Sequence, residues 1–229
     1  MTGALADATW PEAERRAADA LLAVPVGSTE QHGPHLPLST DTDLAVALVE
    51  RLARRLPSVV AAPALPYGSS GEHAGFAGTL SIGREALELL LLQLGRSASE
   101  TFARVALVCA HGGNRAPVER AERRLRGEGR RVRAFFPVWS GDAHAGRAET
   151  SLMLALHPDR VRASLAEPGA TAPLAELMPR LVAHGVHAVS PNGVLGDPSG
   201  AGAAEGWRLL DGAVDELSGA IEAWSARPA

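Results

Sequence analysis

The chain has 229 residues with 22 basic against 26 acidic side chains, a net charge of −4, and this balance excludes a general electrostatic attraction for nucleic acid or anionic lipid. Hydrophobic residues make up 46% and aromatic residues 4%, enough for a core of Ala, Leu and Val and too much for a disordered chain. No lysine is present, which excludes a lysine nucleophile, and the single Cys109 excludes an internal disulfide.

The first residues, MTGALADATWPEAERR, hold no basic leader followed by an apolar run, and the longest apolar stretches, such as Leu87 to Leu92, fall short of the roughly 20 residues of a membrane span. A cytoplasmic protein without a membrane partner is the expectation. LLAVPV at 21–26 reads as a strand buried on both faces. LAVALVERLARR at 44–55 has apolar spacing of three and four and reads as an amphipathic helix, with Asp41 or Asp43 where an N-cap would stand. Then follow a strand at 59–65, a helix at 84–102, a strand at 104–110, a helix at 116–129, a strand at 131–138, a helix at 148–156 and a closing helix from about 203 to 226. The alternation predicts a single α/β domain over 1–229, three-layered, with a mainly parallel sheet and helices on both faces. Two polar, glycine-rich stretches, 66–81 and 187–202, are expected to border a site. The four tryptophans read mainly as packing residues, with Trp139 next to a candidate loop.

In open parallel sheets ligands bind beyond the carboxyl ends of the strands. After the first strand come Glu30, His32, His35, Asp41 and Asp43. After 104–110 come His111 and Asn114, and after 131–138 come Asp142, His144 and Glu149. Several carboxylates and imidazoles at one sheet edge suit zinc, iron(II) or manganese and not calcium, which takes oxygen shells. Each residue alone has a plainer reading: a lone His after a strand is usually a hydrogen-bonded loop residue, and Asp41 alone is a helix cap. The conjunction at repeated strand ends is what favours an open, catalytic metal site. GSSGEHAG and HGGN match neither the dinucleotide nor the Walker pattern, and no Gly-x-Ser-x-Gly elbow is present. His35, His157, His184 and His187 read as surface or loop histidines.

The segment VPVGSTEQHGPHLPLSTDTD strongly resembles the signature of the creatininase family, and the likeness continues through SGEHAGFAGTLS, AHGGN, GDAHAGRAETSLML and GVLGDPSGA in the family's order. Within the family the chain is most similar to the mycofactocin-system branch, peptidases that trim a modified precursor peptide. The resemblance implies a parallel α/β fold, two divalent ions per subunit, amide hydrolysis and a ring-like homo-oligomer. Carried across by position, it implies that Asp41 bridges the ions, with Glu30 and His111 on one and His32 on the other. Glu149 is the candidate to complete the second ion's shell. In creatininase itself a glutamate ligand stands two residues after the histidine of this HGGN-like motif, where this chain has Gly113, which counts against creatinine as substrate.

The reaction expected from these residues is attack by water activated between the ions, with His144 donating a proton to the leaving amine or orienting substrate. Glu72 and His73 are expected to line the substrate pocket or to bond the activated water. Asn114 positions the substrate carbonyl or a histidine, or caps the helix that follows. The substrate implied is the precursor peptide, cleaved to release a modified C-terminal Val-Tyr unit. Hydrolysis of a small cyclic amide or formamide, and a non-catalytic metal-dependent peptide carrier, are the alternatives.

Overall fold

The computed structural model describes residues 4–139 and 141–226. Four parallel strands, β1 (Leu21–Val26), β2 (Val59–Ala61), β3 (Arg104–Cys109) and β4 (Val132–Phe135), lie in the order β2-β1-β3-β4. Leu21 pairs with Val59 on one side and Arg104 on the other, and Val105 pairs with Val132. Parallel neighbours need crossovers, and the helices that make them cover the sheet.

Alternate residues of the central strands serve the two faces. Leu21 and Ala23 of β1 and Ala106 and Val108 of β3 pack on α2 (Thr40–Arg55), α5 (Arg147–Leu156) and α7 (Ala203–Ser225) through Leu44, Leu48, Leu52, Leu152, Leu210 and Leu217. Leu22, Val24, Val105 and Leu107 pack on α1 (Trp10–Ala17), α3 (Arg84–Ala98) and α4 (Arg115–Gly127) through Ala17, Leu87, Leu91, Val118 and Leu125. The fold is therefore α/β with helices on both faces of a parallel sheet. Each fully buried leucine contributes about 1.5–3 kcal/mol, and along α2 the series Leu44, Leu48 and Leu52 recurs every four residues on one buried face.

Several elements differ from the sequence expectation. The strand expected at 59–65 ends at Ala61, two residues before Pro63, which has no N–H to donate to a ladder; Leu65 keeps only an isolated bridge to Val26. The strand expected at 131–138 ends at Phe135, ahead of Pro137. α1 is an unpredicted helix, started by a capping box in which Glu12 accepts from Thr9 N–H at 2.7 Å. α6 (Leu174–Val189) was also unpredicted and takes in the first three residues of the loop expected at 187–202; Pro179 and the break at Gly185 (φ 75°) disrupt its periodicity. Trp10 is exposed and not a packing residue. No helix among the described residues is long and apolar enough to cross a membrane. The reading of the first residues as lacking a leader falls partly on residues 1–3, which lie outside the described residues.

Candidate metal centre

β1 connects to β2 on one side of the sheet, while the chain then returns to lay β3 on the other, so the carboxyl ends of β1 and β3 flank a topological switch point. The segments leaving these two strands carry Glu30, His32 and His111. Asp41 arrives from the first turn of α2, where the helix dipole favours a carboxylate, and the N-cap position is Ser39. Asp41 and Asp43 are therefore both inside the helix. The loop after β2 brings Glu72 and His73, and the segment after β4 brings His144 and Glu149.

Asp41 is the geometric centre. Its Oδ1 lies 3.3 Å from His32 Nε2 and its Oδ2 3.2 Å from His111 Nδ1. Glu30 Oε2 lies 3.2 Å from His111 Nε2, and Glu30 Oε1 lies 3.2 Å from His73 Nε2 and 3.8 Å from His144 Nδ1. Glu149 Oε2 accepts from Ala145 N–H at 2.6 Å and stands 3.9 Å from His32 Nε2. Three sets of converging donor atoms result: Glu30, Asp41 and His111; His32, His144 and Glu149; and Glu30, His73 and His144. All of these side chains are buried.

Both oxygens of Glu30 and Oδ2 of Asp41 are buried without a hydrogen bond. Burying an ionised carboxylate costs several kcal/mol unless a positive charge answers it, so the orphaned oxygens fit a cation held between them. In the chain alone the answering charge is imidazolium. Burial works against charge on His32, but Asp41, Glu149 and Glu30 outweigh it and push its pKa up to about 9. His111 is raised well above its ordinary value by Glu30 and Asp41 against the same burial penalty. Burial pushes Asp41 up, yet His32 and His111 hold it well below the usual carboxylate range. Burial, helped by Asp41 and Glu30, raises Glu149 to about 7. His73 and His144 go the other way: burial lowers His73 to about 4 and His144 well below its ordinary value, aided by their charged histidine neighbours. Mixed imidazole and carboxylate donors without a thiol suit zinc, iron(II) or manganese. Cys109 belongs to none of these donor sets, and its Sγ donates to the His111 carbonyl at 3.3 Å.

Glu72 is the partly open member at the rim, with its Oε1 3.6 Å from His111 Nε2. Burial raises its pKa. A Cβ at Gly113 would come within 2.0 Å of Glu72 Oε1, 2.5 Å of His111 Nε2 and 2.6 Å of the Ser69 carbonyl oxygen. A carboxylate from the β2 loop thus occupies the space that any larger residue at 113 would claim. Asn114 sits at the N-cap position of α4 but makes no cap bond with its side chain: its oxygen accepts from Ser69 N–H at 2.7 Å and its nitrogen donates to the Gly27 carbonyl at 2.9 Å. It ties together the loops after β1, β2 and β3. Asn114 and His73 are both buried, with their polar atoms facing protein groups.

Two residues escaped the sequence reading. His35, expected at the surface, is fully buried with Nε2 2.9 Å from Thr150 Oγ1, next to Glu149. Gln31 contacts His73, His144 and Gly193, and its only signal was its place between Glu30 and His32. A surface groove of about 510 Å³ near Arg51, Arg55, Asp211 and Asp215 lies toward the far end of α2 from Asp41 and is occupied by ion pairs between these residues.

The creatininase family model, described as creatinine amidohydrolase, matches residues 6–221. A mycofactocin precursor peptide peptidase of Mycolicibacterium smegmatis is 49% identical over 211 residues, 89% of this chain and 85% of the relative. A protein of the same name from Mycobacterium ulcerans is 46% identical over 234 residues, 96% of this chain and 88% of the relative. Among solved structures, a tryptophan variant of creatininase superposes with a TM-score of 0.85 at 28% identity, covering 99% of this chain and 100% of that one. Other solved creatininases, with TM-scores of 0.82 and 0.83, are described as zinc and manganese forms.

Proposed function

The chain belongs to the creatininase family and is a hydrolase acting on amide bonds; from that premise we propose that it is a metal-dependent peptidase, cleaving the mycofactocin precursor peptide to release its modified C-terminal Val-Tyr unit. The carrying observation is its 46% and 49% identity, over most of its length, to two proteins named for that activity. We read it as one cytoplasmic domain that assembles with copies of itself. Leu174, Met178 and Val182, exposed at four-residue intervals along α6, supply an apolar stripe suited to assembly, and sedimentation would test it.

Two divalent ions per chain would suit this site, one held by Glu30, Asp41 and His111 and the other by His32 and Glu149, with Asp41 beside both. When bound, such ions polarise the scissile carbonyl and bring the pKa of water toward neutrality. The remaining work belongs to the side chains. Asp41 fixes the spacing of the two donor sets, since each of its oxygens faces a different histidine. Glu72, at the rim, meets the peptide. His144, neutral in its buried position, takes the proton lost by the attacking water and returns it to the leaving amine as the C–N bond breaks. Asn114 and His73 hold the surrounding loops and Glu30 in place.

The test mixes metal-loaded protein with modified precursor and follows release of the C-terminal fragment by mass spectrometry. Fragment release that is lost in Asp41→Asn supports the proposal. An intact peptide with both ions bound refutes it, and turnover of creatinine or a formamide in its place would establish the small-amide reading.

A further inference from the structure

The amide of Gln31 is enclosed by four polar groups. Its oxygen accepts from Gly33 N–H at 2.9 Å, and its nitrogen lies 3.0 Å from the Gly193 carbonyl, 2.8 Å from His73 Nδ1 and 3.1 Å from His144 Nε2. Its orientation is settled by its backbone partners. Turning the amide over would set NH₂ against the Gly33 N–H and oxygen against the Gly193 carbonyl, two repulsive pairs in place of two bonds. Gly193 also makes room for it. At φ +82° it adopts a conformation other residues avoid, and a Cβ there would overlap Gln31 Oε1 and come within 2.5 Å of Cδ.

An amide nitrogen has two protons to give. Gly193 takes one. His73 Nδ1 must take the other, because an N–H at that position would face an NH₂ with no acceptor between them. None remains for His144 Nε2, whose other neighbour is the backbone carbonyl of Gln31 at 2.9 Å, an acceptor. His144 Nε2 therefore carries its own proton and donates it to that carbonyl.

We propose that Gln31 is a positioning residue that fixes both His73 and His144 as Nε2–H tautomers. For His73 the proton then sits on the nitrogen 3.2 Å from Glu30 Oε1, and no lone pair faces the carboxylates. The set of Glu30, His73 and His144 is thereby removed as a metal site, leaving the two sets that flank Asp41. For His144 the bare nitrogen is Nδ1, 3.8 Å from Glu30 Oε1, which aims its lone pair at the reaction site. The catalytic consequence for His144 rests on the amide-hydrolase reading above, whereas the tautomers themselves do not.

The test is a two-bond ¹H–¹⁵N correlation spectrum of zinc-loaded protein carrying ¹⁵N-histidine, with His73→Ala and His144→Ala identifying the signals. The expected pattern is Nε2–H with bare Nδ1 for both rings. In Gln31→Glu the donor becomes an acceptor, and His73 should switch to Nδ1–H. A protonated His73 Nδ1 or His144 Nδ1 in the unsubstituted protein overturns the proposal, as does a His73 pattern unchanged in Gln31→Glu. The unsubstituted spectrum decides the matter by itself if the variant does not fold. Because no substrate is present, a failed peptidase assay leaves this result untouched, and the converse also holds.

Discussion

Adding a divalent ion to the metal-free protein should release about two protons per chain at pH 7.5. With no ion bound, His32 titrates at about 9 and is imidazolium at that pH, and Glu30 and Asp41 shift His111 in the same direction. Each must become neutral to coordinate an ion. For His32, 1.5 pH units below its pKa, that step costs about 2 kcal/mol. Two linked protons weaken apparent affinity about 100-fold for each pH unit of acidification, and Glu149, at about 7, adds a further fraction below neutrality. Calorimetric titration in buffers of different ionisation heat counts the protons directly.

Stability supplies a second readout with a definite sign. The folded pKa of His32 lies above its unfolded value of 6.5, so its contribution is fully present below pH 6.5 and is lost as pH rises through about 9. The melting temperature of the chelated protein should fall across that window. The metal-loaded protein should gain stability over the same range, because protons compete with the ion for its ligands. Absence of proton release, or the same slope in both forms, would refute the assignment of His32 and His111 as ligands held protonated until an ion arrives.

Glu149→Gln should lower bound metal by about one equivalent per chain, measured by elemental analysis; retention of both ions would remove Glu149 from the second set. Glu72→Gln, at the partly open rim of the site, should reduce turnover about 10–100-fold with little change in melting temperature. Unchanged turnover in that variant would show that Glu72 has no part in the reaction. Leu48→Ala, at a fully buried position on α2, should cost about 2–5 kcal/mol in urea unfolding with metal content retained; a loss below 1 kcal/mol would mean the α2 face repacks freely.

The strand and helix series was legible because its signals are local. A run such as LLAVPV is apolar throughout since β1 is covered on both faces, and α2 shows its buried stripe every three or four residues. α6 was hidden because Pro179 and Gly185 break its period while its exposed stripe is itself apolar. Glu30, His32, His111, His144 and Glu149 were legible as donors because each follows a strand that a parallel sheet aims at one edge.

Asp41 marks where that reasoning ends. Its place ahead of an apolar run reads, taken alone, as a helix cap, and only the packing of α2 against the β1 and β3 loops sets its two oxygens between His32 and His111. By itself the sequence determined the fold class, the kinds of donor present and the sheet edge that receives them. The tertiary structure decided which atom faces which: the partners of Gln31 lie 42, 113 and 162 positions away, and that of His35 lies 115 away. Separations of that length carry no periodicity, so the protonation pattern of the site exists only once the loops are folded together.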